Sequence, residues 1–350
     1  MKVAVFYGGR SVEHHVSVQS AFNVVENIKK MDGFEVVCIF VDMDGRWFYT
    51  GDSVKPQRNK SVSYSFTDCY FIVDGKRLDV DVCFSLIHGN VGEDGKLAGF
   101  FETINIPYTG CDLLSSAISM NKKLSKILSA RIGVKVLDDI FLNEMEFDLV
   151  KIKDDVEKIG FPVFVKPNSL GSSVGVSKVK NHSELEAAIR KAFRYEKEIL
   201  IEKAIEKARE IVVGVIGDGF NNFISQCGEV CVKGNHEFYD YSAKYLDDNG
   251  MELKIPSPLS LTLSENIKKM AERVFKAVRG YGFSRVDFLM DPLTQEFYFC
   301  EINTIPGFTS HSLFPRLFEN SGLSIQKQIE MIIELAFKRH SNKNKLSYEI

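Results

Sequence analysis

Near the N-terminus, almost wholly apolar runs alternate with segments of helical spacing, and this alternation limits the fold more than any other feature. Lys2 to Tyr7 reads as a strand, and Gly8-Gly9-Arg10-Ser11 turns the chain. Val16 to Ile28 carries apolar residues at helical spacing. Phe34 to Val41 reads as a second strand and Val80 to Ile87 as a third, ending at His88-Gly89. Strands alternating with helices predict a parallel sheet with covered faces, an α/β arrangement. Ligands of such sheets collect at the carboxyl ends of the strands, where Gly8-Gly9 and His88-Gly89 are placed.

Further along, the pattern predicts a boundary after Pro107 at Tyr108-Thr109-Gly110 and one helix over 113–130. Strands are expected at 162–166, 199–202, 210–216, 229–232, 285–290 and 296–300, and helices at 183–193, 263–279 and 325–338. Residues 233–254 read as a long polar loop, the kind that serves as a lid or is disordered. From His340 the tail is polar and expected to fray.

Composition narrows the class. The 350 residues are 45% apolar and 26% charged, with a formal net charge of −3 and no long run of one sign. That balance gives no support for nucleic-acid or membrane binding. No apolar run approaches the roughly 18 residues that span a bilayer, and the opening MKVAVFYGGRS is too short in apolar residues for a signal peptide. Seven cysteines without paired spacing suggest reduced thiols and a cytoplasmic protein. Cys227 and Cys231 lack the second pair that a zinc site needs.

Three stretches carry chemistry. In FCEINTIPGFTSHS, Glu301 and Asn303 are two apart on a strand end and share a face. They form either a cradle for a hard cation or a polar end turning into solvent. In SRVDFLMD, Arg285 and Asp287 share a face in the same way. Asp287, Glu301 and Asn303 on adjacent strands could hold Mg²⁺ through oxygen. In FPVFVKPNSLGSSVGVSK, an apolar strand delivers Lys166 to a Gly- and Ser-rich loop. The loop is either a phosphate cradle, with Lys166 offsetting charge, or a hairpin tip. It is neither a P-loop nor a dinucleotide fingerprint.

Taken in order from residue 8 to 315, GGRSVEHHVSVQS, HGNVGEDGKLAGFFE, PYTG, MNKKLSK, FVKPNSLGSSVGVSKV, FYDYSAKYLDD, SRVDF and EINTIPGFTSHSLFP resemble the D-alanine–D-alanine ligases of the ATP-grasp superfamily. The resemblance implies three domains: an N-terminal parallel-sheet domain over 1–108 and ATP-grasp α+β domains over 109–213 and 214–340, with ATP between the latter two. A lid falls at 233–254 and a polar tail at 341–350. The implied reaction uses ATP to phosphorylate one D-alanine, whose acyl phosphate is attacked by the amine of a second, for peptidoglycan precursor synthesis. ATP and two Mg²⁺ ions, replaceable by Mn²⁺, are the implied cofactors, and a homodimer the implied assembly.

The residue roles that follow come from that resemblance. Asp287, Glu301 and Asn303 match metal ligands, and Lys122 and Lys166 match phosphate-binding lysines. Ser172 and Ser173 fall in the phosphate loop, while Glu202, Lys203, Ala204 and Ile205 match the adenine linker. Glu210 matches the ribose-binding carboxylate, with its register against Glu206 open. Glu13 and His88 match groups around the first D-alanine, with Glu93 behind His88. Arg285 and the Gly307 N–H match oxyanion donors, and Ser312 and Leu313 the surroundings of the second D-alanine. Lys244 would reach the γ-phosphate, and Tyr245 would bond Ser172 and through it Glu13. The chain departs from the family pattern at His15, Asn121 and Ser242. Alternatives are a D-serine or D-lactate acceptor, another ATP-grasp ligase, and a non-catalytic sensor.

Overall fold

The computed structural model describes residues 1–232 and 251–347. β1 (Lys2–Gly8) is apolar because both of its faces are covered. α1 (His14–Ile28) packs on the face of Val3, Val5 and Tyr7, while Ala4 and Phe6 point into a second cluster. β2 (Glu35–Val41) runs parallel to β1 and carries β3 (Trp47–Tyr49) antiparallel on its outer edge. β4 (Val62–Ser65), β5 (Tyr70–Val73) and β6 (Lys76–Leu78) make a small antiparallel sheet, which seats Phe71 against Phe6. β7 (Val82–Ser85) is parallel to β1 on its other side, so the order is β3-β2-β1-β7. α2 (Lys96–Thr103) covers the second face.

The helix expected over 113–130 is two helices, α3 (Leu113–Met120) and α4 (Lys122–Arg131). Asn121 breaks it: its backbone is extended (φ −82°, ψ 103°) and its side chain accepts from the Leu124 N–H at 2.9 Å. Asn is a strong N-cap, and Asp would cap equally well, which accounts for the tolerance of Asn here.

β8 (Asp139–Asn143), α5 (Leu149–Ile159), β9 (Val163–Pro167), β10 (Ser177–Val179), α6 (His182–Phe193) and β11 (Glu198–Lys203) form an antiparallel sheet of order β10-β9-β11-β8. Val163, Val165, Ile199 and Ile201 turn one face onto α5 and α6. The other face carries the alternate residues Phe164, Lys166, Leu200, Glu202 and Asp139.

β12 (Arg209–Gly217), β13 (Asn222–Ile224), β14 (Gly228–Val232), β15 (Met251–Lys254), α7 (Leu261–Ala277), β16 (Gly282–Met290) and β17 (Phe297–Asn303) build the last sheet, with α8 (Leu313–Glu319) and α9 (Ile325–Lys343) following. Its order is β15-β14-β12-β16-β17, with β13 against β12. The expected domain limit at 213–214 falls inside β12, which pairs with β16 along its whole length. Met251–Lys254, expected as the end of the polar loop, pairs instead with β14. α9 runs on to Lys343, two residues past the expected start of the tail at 341, and the His340 ring bonds the Asn105 carbonyl at 2.9 Å. α3 and α4 pack on this sheet rather than on the central one: Ile118, Leu128 and Ile132 join the cluster of Val213, Val286 and Phe299. α9 in turn shares a core with β1, α1 and β7, so the N- and C-terminal units form one body.

Candidate active site

The open face of the last sheet is set by register. Arg285 pairs with Asn303 and Asp287 with Glu301. Partners opposite one another lie on one face. Between Asp287 and Phe288 the register shifts by a bulge that leaves Cys300 as the extra residue. Phe297, Phe299 and Ile302 all point into the core, which without the bulge would bury Glu301 and Asn303. The bulge thus aims both into the cleft. Burial pushes the Cys300 thiol up to about 12, so it enters the cleft neutral.

The Arg285 guanidinium grips Asp287 through both oxygens, at 2.7 and 2.6 Å. Lys122 Nζ lies 3.6 Å from Glu301 and donates to the Leu170 carbonyl at 2.5 Å. The α4 N-terminus is tied to the Lys166 loop by Lys122 N–H to Asn168 O (2.9 Å) and Lys123 N–H to Asn168 Oδ1 (3.0 Å). Across the cleft, Lys166 Nζ pairs with Glu202 at 2.6 Å. Burial alone would lower the Lys166 pKa, but Glu202 outweighs it and holds the ammonium charged. Glu202, expected to face adenine, has its carboxylate engaged by Lys166 and Lys126. Lys203 Nζ bonds the Gly160 and Phe161 carbonyls at 3.0 and 3.3 Å. The N–H groups of Lys203 and Ala204 bond the Asp138 and Pro162 carbonyls, and Ile205 is half-buried. Glu210, opposite Leu289 in register, shares the cleft face with Asp287, and Glu206 is exposed.

A second cluster joins the N-terminal unit to the others. Glu13 is buried at the start of α1 but does not cap that helix. Its carboxylate takes a short hydrogen bond from the Ser172 hydroxyl, 159 residues away in the chain. Glycines make room for it: a Cβ at Gly89 would lie 2.9 Å from Glu13 Oε2 and one at Gly171 3.3 Å. Ser172 and Ser173 both adopt left-handed backbone (φ 53° and 56°), a strained conformation for non-glycine residues that clusters at functional loops. His88 is buried; its ring meets Ser20 Oγ at 2.9 Å and the Ile305 carbonyl at 2.8 Å. Burial would lower its pKa, but Glu93, 3.7 Å away, and Glu13 outweigh this and raise it. Ile305 links the clusters, because its N–H also bonds Asn303 Oδ1 at 2.9 Å.

Past Pro306, a Cβ at Gly307 would lie 2.9 Å from Ser312 Oγ. Ser312 Oγ bonds the Thr309 N–H at 3.0 Å and its hydroxyl at 2.7 Å, which fixes the turn. Leu313, expected near a substrate, is buried with Val212, Val230 and Leu317. Ser242, Lys244 and Tyr245 lie outside the described residues. His15 is exposed.

Residues 2–111 match the family model described as D-ala D-ala ligase N-terminus, and 128–334 the one described as D-ala D-ala ligase C-terminus. The chain belongs to the D-ala D-ala ligase family. Its fold is accordingly ATP-grasp and its class that of ATP-dependent ligases. It is 39% identical to a D-alanine–D-alanine ligase of Caldicellulosiruptor bescii over 99% of this chain and 98% of that protein. Among solved structures, the VanG D-Ala:D-Ser ligase of Enterococcus faecalis superposes with a TM-score of 0.85 at 33% identity, covering 96% of this chain and 99% of that one. The D-alanine–D-alanine ligase of Coxiella burnetii gives 0.84 at 31%, covering 99% and 97%. Sequence reasoning missed Lys126 and Asp139. Lys126 stands four residues after Lys122 in MNKKLSK, on the same helix face, which was a readable signal. Asp139 gave none.

Proposed function

We propose that the protein joins two D-alanine molecules at the expense of ATP to give D-alanyl-D-alanine, ADP and phosphate, as a step in peptidoglycan precursor synthesis. The observation that carries this reading is one cleft in which Asp287, Glu301 and Asn303 stand opposite Lys122 and Lys166, beside the buried Glu13–Ser172 pair. The first D-alanine places its ammonium on Glu13, and its carboxylate faces His88. A carboxylate oxygen attacks the γ-phosphorus, the bond to ADP breaks, and an acyl phosphate forms. The amine of the second D-alanine, bound at Ser312 and Leu313, then attacks the acyl carbon. Arg285 and the Gly307 N–H stabilise the tetrahedral oxyanion, and phosphate leaves as the carbonyl reforms.

Asp287, Glu301 and Asn303 present hard oxygen donors on one face, a set that fits divalent cations. Arg285 and Lys122 now balance the two carboxylates. Mg²⁺, or Mn²⁺ in its place, would neutralise charge on the transferring phosphoryl group there. Ser172 and Ser173 cradle phosphate, the 202–205 stretch meets adenine, Lys203 included, and Glu210 holds the ribose. The central unit, 139–204, closes over ATP against the 209–303 sheet. A cytoplasmic homodimer completes the proposal. Among the described residues no helix is long and apolar enough to cross a membrane.

The test is phosphate release with ATP, Mg²⁺ and, in parallel, D-alanine, L-alanine, D-serine and D-lactate, with mass analysis of products. D-Alanine-dependent phosphate and the dipeptide are expected; their absence ends the proposal. The likeness to a D-Ala:D-Ser ligase makes D-serine the one rival acceptor with a specific observation behind it. A dominant mixed product under equimolar D-alanine and D-serine would establish that rival.

A further inference from the structure

Lys126 is the most completely buried lysine among the described residues, at 1% exposure, and the reaction gives it nothing to do. Its ammonium donates to Glu202 Oε1 at 2.5 Å and to the Leu137 carbonyl at 2.9 Å, and lies 2.8 Å from Asp139 Oδ2. An ammonium has three donors, so all are used. Asp139 Oδ1 is taken by Lys123 at 2.5 Å, and Glu202 Oε2 by Lys166 at 2.6 Å. The result is an unbroken chain, Lys123–Asp139–Lys126–Glu202–Lys166, in which every carboxylate oxygen meets a lysine and Lys126 serves one oxygen of each acid.

The ends of that chain belong to different parts of the molecule. Lys123 and Lys126 stand on α4, whose Leu128 packs with the C-terminal sheet. Asp139, Glu202 and Lys166 stand on β8, β11 and β9 of the central sheet, and Asp139 and Glu202 are cross-strand partners. The core of that sheet is drawn only from its own strands and helices. Lys126 is therefore an ionic pin between the central unit and the rest. It also orients the carboxylate that holds Lys166.

We propose that Lys126 is a positioning residue for nucleoside triphosphate binding, acting through Glu202 on Lys166. This rests on the reading of Lys166 as a phosphate-binding lysine. Without the Lys126 ammonium, Glu202 is left to Lys166 alone. The lysine is then drawn onto its carboxylate and away from phosphate. A buried charge stripped of one partner is also destabilising. A simple stability role and a positioning role must therefore be separated.

Two variants separate them. Lys126→Met removes the cation alone. Lys126→Met/Asp139→Asn removes one cation and one anion, which leaves no buried Asp139 carboxylate stripped of Lys126, returns the cluster to its wild-type net charge and should recover thermal stability. It does not return a partner to Glu202 Oε1. Binding of a non-hydrolysable ATP analogue with Mg²⁺ is measured by calorimetry, and KM for D-alanine by phosphate release. A lost hydrogen bond between charged groups should weaken nucleotide binding about tenfold or more in both variants. KM for D-alanine should stay near that of the wild type. If the double variant regains both melting temperature and nucleotide affinity, Lys126 is merely structural and the proposal fails. It fails equally if either variant binds the analogue like the wild type. Should the single variant not fold, the double variant decides alone. If the wild type binds the analogue yet forms no dipeptide, the ligase reading falls, while the positioning role is still judged on binding.

Discussion

The two sheets that face each other across the cleft are closed in different ways. The central sheet is self-contained. Its core runs from Ile140 to Ile201 in one stretch of chain, and its cleft-side acids Asp139 and Glu202 are neutralised by lysines at its border with α4. The C-terminal sheet is assembled from afar. Its core takes in Ile118, Leu128 and Val134 from α3, α4 and the loop beyond, and its cleft-side acids meet Arg285 and Lys122. A unit with a local core and few ties to its surroundings can move as a body. A unit whose core is woven from three chain segments cannot. A clamp for a nucleotide needs one of each, and here the ties between them are ion pairs and a few hydrogen bonds rather than a shared apolar core.

The largest effect that could break this contrast is in the cores. Phe299→Ala should cost about 3–5 kcal/mol and Ile201→Ala about 2–5 kcal/mol. Hydrogen exchange distinguishes them: loss of protection after Ile201→Ala should be confined to 139–203, whereas Phe299→Ala should loosen α3 and α4 together with β12–β17. Equal loosening everywhere in both variants would refute the contrast. Next comes Arg285→Ala, expected to lower kcat about 100- to 1,000-fold while the affinity for ATP changes little. A change in affinity as large as that in kcat would instead put Arg285 on the nucleotide.

Smaller is the effect at the junction of the N-terminal unit. Arg339 on α9 stacks 3.9 Å from the Tyr108 ring centroid and donates to the Tyr108 and Gly110 carbonyls at 2.5 Å. Arg339→Ala strips both carbonyls of that partner and should cost about 1–3 kcal/mol in urea unfolding, with no local loosening of 139–203. Smallest is a pH effect. His88 has a folded pKa raised above its unfolded value: burial would lower it, but Glu93 and Glu13 outweigh burial. Its charge therefore stabilises the fold fully below the unfolded pKa, near 6.5, and that contribution is lost as pH rises through the raised value. Melting temperatures of wild type and His88→Asn should converge as pH rises through neutrality. A gap that stays constant would remove the His88 ion pair from the account.

Some of the site was legible in the chain and some was not. Glu301 and Asn303, or Arg285 and Asp287, share a face because strand periodicity is a local property. The bulge at Cys300 was invisible, because it exists only in the pairing of β17 with β16. Asn121 read as part of a helix because apolar spacing continues through it, although an N-cap residue was in plain view. Met251–Lys254 read as loop because its strand is created by β14. Glu202 was assigned to the nucleotide, and its ion pairs with lysines 36 and 76 residues away leave no local trace.

By itself, the order of residues settled which segments bury apolar faces, where the chain turns, and which types of donor each strand end presents. These follow from backbone periodicity and from what glycine, proline and asparagine do to it. Partnership was decided only by folding: Ser172 with Glu13, Lys126 with two carboxylates, Ile305 between His88 and Asn303. Charges and hydrogen bonds act over a few ångströms in space, and distance along the chain says nothing about them until the cores have closed.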